Sequence, residues 1–356
     1  MVELVHPRPS PDTLPSVSVI VTCYNYGAYV EQAIRSALDQ TGVDVDVVAV
    51  DDQSTDDSVS LIRRLAAEDS RVRLIDRKSN GGAVVAFNTG LAVARGDYIV
   101  RLDADDLLTP GALSRATSLG IALPGVGLIY SHPLHFTDGE PLPRARIEPT
   151  RWRVWHGQSW LLGRIRTGLS VITSPEVVIR RSVLDEVGPM RNLEHTHDFE
   201  LWLRLSAISE VAYIEGADQA WHREHARSLS RSVRSVAHDL RGRREAFDVL
   251  FGWADGRIAN APALRDLARH ALATEALSDL AAMRRRTAPL NADLEAELIA
   301  FAIESDPAVT ATAEWKDAAR AADEPPVARL LSRARTRIRF ELEGRRWSRT
   351  GVFRDR

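Results

Sequence analysis

A single cysteine, Cys23, stands in a chain of 356 residues. No internal disulfide and no cysteine-built zinc or iron–sulfur site can form, which fits a reducing compartment. Cys23 itself reads as a small buried hydrophobe. Lysine is almost missing, with Lys78 and Lys316 the only two among 46 basic residues. Against 49 acidic residues these leave a net charge of −3, so no whole-chain field draws the protein to nucleic acid, and no nucleic-acid partner is expected. No apolar run approaches the roughly 18 residues that a membrane helix needs. The proline-rich stretch 1–15 lacks the apolar segment of a signal peptide and reads as a flexible tail. A cytoplasmic protein is expected.

What remains is an ordinary globular composition, 44% hydrophobic and 27% charged, with length enough for two or three packed units. The first hundred residues repeat one unit: a β-branched run, a polar turn, then an apolar pattern of helical period. Val17–Thr22 is a strand covered on both faces, followed by Val30, Ala33, Ile34, Ala37 and Leu38 at helical spacing. Val45–Val50 is a second strand. Ser54 and Asp57 form a capping-box-like start for a helix with the stripe Leu61, Ile62, Leu65. Val72–Ile75, a stripe from Ala83 to Ala94, and Tyr98–Leu102 complete the set. Crossovers of this length predict a mainly parallel α/β sheet with helices on both faces.

Beyond residue 106 prolines and tryptophans interrupt the pattern, until a helical period returns from Val183 to Leu205. From about Val233 onward the spacing predicts four or five helices. The expected division is an α/β half over 16–106, a second half over 107–232 packed on the same sheet, and a helical extension over 233–356. Its last 29 residues hold ten arginines against Glu341, Glu343 and Asp355. Such a tail could lie on an anionic membrane face, placing the protein peripherally at the inner surface of the cell membrane.

In an open parallel sheet ligands bind beyond the carboxyl ends of the strands. Three such ends carry polar clusters: Thr22-Cys23-Tyr24-Asn25, Asp51-Asp52-Gln53-Ser54 and Asp103-Ala104-Asp105-Asp106. Each alone could be turn chemistry; three together point to a site. Carboxylates crowded at Asp103 and Asp105 repel unless a cation separates them, and Mg2+ or Mn2+ suits so sparse a ligand set. Such an ion takes its other ligands from water and phosphate, which implies a diphosphate substrate. No Walker loop and no G-x-G-x-x-G follows the first strand, so neither a P-loop nucleotidase nor a Rossmann dehydrogenase accounts for the site.

Four stretches, VSVIVTCYN (17–25), VDDQSTDD (50–57), NGGAVVAFNTGL (80–91) and ARGDYIVRLDADDL (94–107), resemble in order and spacing the inverting family 2 glycosyltransferases. HDFELWLRL (197–205) is similar to the segment carrying that family's catalytic base, and REHARSLS (223–230) to its closing element. The resemblance covers about residues 16–231. It implies a GT-A, Rossmann-like nucleotide-diphospho-sugar fold, with a donor-binding half over 16–106 and an acceptor-binding and catalytic half over 107–232. Thr22, Tyr24 and Asp52 would then contact the nucleobase, Tyr24 by stacking, with Asn25 and Asn80 in the same nucleotide site. Asp103 would face the ribose or the metal, Asp105 would bind the metal, and His225 would close over metal or diphosphate. Arg223 would meet phosphate oxygens, and Asp198 would be the general base. Phe87 stands where many members carry an arginine near Asn88, which removes one phosphate contact. Glu343–Trp347 superficially resembles the Gln-x-x-Arg-Trp element of processive polysaccharide synthases, but its first residue differs, and it is set aside.

The implied activity is transfer of one sugar from a nucleotide diphosphate donor, a UDP-sugar by default, to a hydroxyl on a glycan, a lipid-linked sugar or a small molecule. Two other readings stay open: a binding scaffold on a degenerate transferase fold, and a sugar nucleotidyltransferase. The latter typically has a glycine-rich, arginine-containing loop after its first strand, and Tyr24–Gly27 offers none.

Overall fold

The computed structural model describes residues 2–7, 14–225, 235–254, 256–286, 290–321 and 323–352. Its first half runs β1 (Val2–Val5), β2 (Ser16–Cys23), α1 (Val30–Leu38), β3 (Asp44–Asp51), α2 (Ser58–Glu68), β4 (Val72–Asp76), α3 (Gly82–Leu91) and β5 (Tyr98–Asp103). Strands β4, β3, β2 and β5 lie side by side and parallel, with Val19 opposite both Val47 and Val100. Val17, Val19, Ile20 and Val21 are wholly buried, as β-branched strands covered on both faces must be. One local detail differs from expectation. Asp57 makes no side-chain cap; Asp56 takes the Ser58 N–H instead, and the Ser54 hydroxyl bonds Asp51.

The second half runs β6 (Leu107–Leu108), α4 (Ala112–Ala122), β7 (Val126–Thr137), β8 (Arg151–Trp155), α5 (Gly157–Thr167), β9 (Val178–Arg180), α6 (Arg181–Val187), α7 (His197–Ile208) and β10 (Glu210–Glu224). All ten described strands form one sheet in the order β1-β8-β10-β7-β9-β5-β2-β3-β4, with β6 against β10. The sheet is mixed. Short β9 enters antiparallel between β5 and β7, and β8 runs antiparallel to β10 and β1. Strands β2 to β5 of the first half are wholly parallel to one another, each crossover carrying a helix, and β7 and β10 in the second half also run parallel; the antiparallel pairs all involve β1, β6, β8 or β9. Residues 2–5, expected within a flexible tail, are instead β1, paired from Val2 against Trp155 to Val5 against Trp152. The helical period of 183–205 resolves into two helices, since Gly188 at φ 82° ends α6.

The extension holds α8 (Val236–Trp253), α9 (Ala261–Arg284), α10 (Ala292–Ser305), a 3-10 turn at Pro307–Ala311, α11 (Ala313–Ala321) and α12 (Pro326–Thr350). Phe247, Leu272, Leu277 and Phe301 share one apolar core with Leu161 and Ile165 of α5 and with Phe199 and Leu203 of α7. The extension is thus packed against the helix that carries Asp198. Helix α12 returns to the sheet: Tyr213 donates to the Ser348 carbonyl at 3.0 Å and Tyr130 to the Gly351 carbonyl at 2.7 Å. Gly351, at φ 73°, leaves no room for a side chain, because a Cβ there would lie 2.4 Å from the Tyr213 ring. Trp347 donates its Nε1–H to the Val171 carbonyl at 2.8 Å and meets His132 edge-on at 4.7 Å. Among the described residues no helix is long and apolar enough to cross a membrane.

Candidate active site

Side-chain hydrogen bonds tie the strand ends to one another and to α3. Thr22, at the end of β2, donates to the Asp103 carboxylate at the end of β5, 2.9 Å away. Asn25, held at φ 57°, takes the Thr55 N–H at 2.7 Å and gives its own N–H to Ser54 at 2.9 Å, pinning the loop after β2 to the loop after β3. Asp52 is buried. Its carboxylate receives the Gly81 N–H at 3.1 Å and the Gly82 N–H at 2.7 Å, and it pairs with Arg77. This fastens the amino end of α3, where a negative charge is favoured. Asn80 donates its N–H to Gln53 at 3.0 Å and stays exposed, and the Tyr24 ring is 47% exposed, open for stacking. Asn88, beside Phe87, holds the Met190 backbone through both of its side-chain ends.

The acidic cluster divides its work. Arg101, buried within β5, donates to both Asp103 oxygens at 2.7 and 3.0 Å, because a guanidinium out of water needs a counter-charge. Asp103 is thereby drawn to Arg101 and Thr22. Asp105 instead faces His225, its Oδ2 lying 2.9 Å from Nε2. Burial, then the charges of Asp106 and Asp103, push the Asp105 carboxyl up to about 6. Among the described residues no group of three His, Cys, Asp or Glu side chains forms a ready cage for a metal. The Asp105–His225 pair nevertheless suits a divalent cation: it offers one hard oxygen and one imidazole, and its crowded carboxylate is costly to ionise without a positive partner.

Arg223 is held on several sides. Its guanidinium donates to the Asp105 carbonyl at 2.9 Å, to Asp138 at 2.8 Å and to Gln32 at 2.8 Å, and it lies between the Tyr29 and Phe136 rings. It is only 6% exposed and stands as a strut behind Asp105. Beside it a groove of about 700 Å³ is lined by Tyr29, Gln32, Asp138 and Trp221; it includes neither the carboxylates of the site nor Tyr24. Of the closing element 223–230, residues 226–230 lie outside the described residues.

Asp198 sits in the first turn of α7, half-buried. Its Oδ1 takes the Phe199 N–H at 2.7 Å and its Oδ2 the Ser174 hydroxyl at 2.7 Å. The neighbouring His197 is held below its ordinary value by burial and by Arg101, against the pull of Asp198 and Asp103. The charges of Asp198 and Asp103 both favour the protonated form of this ring.

Sequence reasoning missed Arg77, Arg101, Ser174, Glu176 and the Asp106–His222 pair. Arg101 left a signal, as a charge inside an apolar strand; Glu176 left none. Burial alone would lower His222, but the hydrogen bond and charge of Asp106, 3.1 Å away, outweigh it and push His222 up to about 9. Glu176 is 1% exposed. Its Oε1 takes the Thr173 N–H at 2.6 Å, while its Oε2 is buried without a described partner. Burial raises it from 4.5 to about 7. A folded-state pKa above the unfolded one means that the native chain binds more protons between these values. Wild-type stability therefore falls as pH rises through that window, by on the order of 3 kcal/mol once Glu176 is ionised. Glu176→Gln mimics the protonated acid, so its melting midpoint should exceed that of wild type at about pH 8 and converge with it near pH 5. A gap independent of pH would refute this.

The mixed sheet with flanking helices and the strand-end site define a GT-A, Rossmann-like fold. Residues 18–188 match the family described as Glycosyl transferase family 2, and this segment belongs to that family. The chain is 26% identical over 204 residues to a chondroitin synthase of Pasteurella multocida (strain Pm70), covering 56% of this chain and 20% of that protein. The S. aureus TarS 1–349 structure with UDP-GlcNAc matches with a TM-score of 0.57 at 14% identity, over 82% of this chain and 81% of that one. The mannosyltransferase PcManGT from Pyrobaculum calidifontis, in complex with GDP-Man and Mn2+, matches with a TM-score of 0.50 at 20% identity, over 89% and 88%.

Proposed function

We propose that the chain is a metal-dependent, inverting glycosyltransferase. It moves one sugar from a nucleotide diphosphate sugar, by default a UDP-sugar, to a hydroxyl acceptor in cell-envelope glycan, glycolipid or secondary-metabolite synthesis. The observation that carries the reading is the gathering of polar side chains at neighbouring strand ends, with Thr22 bonded to Asp103 at 2.9 Å and Asp105 facing His225 at 2.9 Å. Residues 16–106 serve the donor, 107–232 the acceptor, and 233–356 form the helical extension.

Asp198 takes the proton of the acceptor hydroxyl as its oxygen attacks the anomeric carbon opposite the departing diphosphate, so the configuration inverts. Thr22, Tyr24 and Asp52 border the base, with Asn25 and Asn80 shaping the loops around it. Mn2+ or Mg2+ held by Asp105 and His225 would neutralise the charge that develops on the leaving diphosphate.

Thermal unfolding with UDP, GDP, dTDP or CDP, each with and without Mn2+, tests the donor side. One nucleotide should raise the midpoint only with metal, by the equivalent of about 2.7 kcal/mol at a hundredfold excess over Kd, and Asp105→Ala should abolish the shift. If no nucleotide shifts the midpoint, the degenerate scaffold becomes the better reading.

Placement in the reducing cytoplasm, against the inner membrane face, is supported by the lone buried cysteine and by α12, which exposes Arg345, Arg346 and Arg349 together with Ile338 and Leu342. Anionic vesicles should bind the protein at low salt and release it at high salt. Replacing those three arginines by glutamine should weaken binding without disturbing the docked 347–352 segment; no binding at low salt removes the proposal.

A further inference from the structure

A general base works only if its carboxylate points where the acceptor hydroxyl arrives, and an aspartate in the first turn of a helix has several rotamers to choose from. Here two bonds fix Asp198: the Phe199 N–H on Oδ1 and the Ser174 hydroxyl on Oδ2, each at 2.7 Å. The first belongs to the helix itself. The second comes from a separate segment, at a residue whose backbone is unusual.

Ser174 is 4% exposed and adopts φ 116°, a conformation that glycine reaches freely and a side chain only under strain. Its surroundings hold it there. The Val177 N–H bonds the Ser174 carbonyl at 3.2 Å, the Thr173 N–H is fixed by the buried Glu176 at 2.6 Å, and Trp347 of α12 holds the Val171 carbonyl at 2.8 Å. A glycine would satisfy this backbone at lower cost. What serine supplies in exchange is one hydroxyl, and that hydroxyl is aimed at Asp198.

We propose that Ser174 is the positioning residue of the base: its hydroxyl sets the direction of the Asp198 carboxylate, and the 171–177 segment, braced by Glu176 and Trp347, holds that hydroxyl in place. This rests on reading Asp198 as the base.

Ser174→Gly and Ser174→Ala both remove the hydroxyl but act oppositely on the backbone. The glycine variant should melt at or above wild type and the alanine variant below it. With UDP-GlcNAc or GDP-mannose and Mn2+, nucleoside diphosphate release by the full chain should lose about ten- to a hundredfold in kcat in both variants, with the donor KM within about twofold. In an Asp198→Asn background Ser174→Gly should add no further loss. A crystal structure of Ser174→Gly should show the Asp198 carboxylate turned from its wild-type direction. An unchanged carboxylate, or wild-type kcat in Ser174→Gly beside an inactive Asp198→Asn, overturns the proposal alone. Full activity in Asp198→Asn overturns the base reading, and this inference falls with it.

Discussion

Asp198→Asn is expected to lower turnover by about 10²–10⁴-fold, the range over which a positioned general base contributes, while nucleotide binding with Mn2+ stays as in wild type. The substitution is nearly isosteric. An asparagine oxygen can still accept the Phe199 N–H, and its amide can donate to Ser174, whose hydroxyl accepts as readily as it donates. What is lost is the capacity to take a proton. Because Asp198 belongs to α7 and the donor contacts to the ends of β2, β3 and β5, the metal-dependent thermal shift should survive when turnover does not. Turnover within about threefold of wild type would remove Asp198 from the chemistry. Loss of both turnover and the nucleotide shift would place its role in donor binding.

The first half was legible because its signals are local. Continuous β-branched runs such as Val17–Thr22 and Val45–Val50 can only be covered strands, and the helices between them carry clean apolar stripes. The second half depends on partners far away in the chain. Strand β1 exists only because β8, some 150 positions on, offers an edge, and nothing in Val2–Val5 announces that edge. Three-residue β9 is too short to show a period. The site divided the same way. Asp105 and Asp198 stand out from motif spacing, but which oxygen faces which partner is a tertiary matter. Arg101 draws Asp103 aside, Asp105 and Asp138 bind Arg223 from two sides, and Ser174 meets Asp198 across 24 positions. A serine in a Ser/Thr/Pro stretch reads as turn chemistry until its φ and its partner are known.

Glu200→Ala is expected to be the most destabilising single change near the site, by about 3–5 kcal/mol, the range for breaking a buried ion pair from one side. Glu200 and Arg204 lie one turn apart on α7 with no exposure at all, bonded at 2.5 Å through Nε and 2.8 Å through Nη2. Arg204 also gathers the carbonyls of Val187, Gly188 and Pro189 at 2.6, 3.2 and 3.0 Å, which is what joins the end of α6 to α7 across the glycine break. Removing the carboxylate leaves a guanidinium in the core facing carbonyl dipoles without a counter-charge. The loss corresponds to a midpoint lowered by roughly ten degrees, measurable by thermal or urea unfolding. Glu200→Gln keeps an acceptor for the Nε–H but loses the charge and turns its amide NH2 toward the Nη2 donor, so it should recover only part of the alanine variant's cost. Equal costs would mean that the one retained Nε–H bond carries little beside the charge and the Nη2 bond. A cost below about 1 kcal/mol in both would mean that the three carbonyls alone suffice to hold Arg204, and that α7, with Asp198 on its first turn, is anchored by the α6 junction and the extension core rather than by the ion pair.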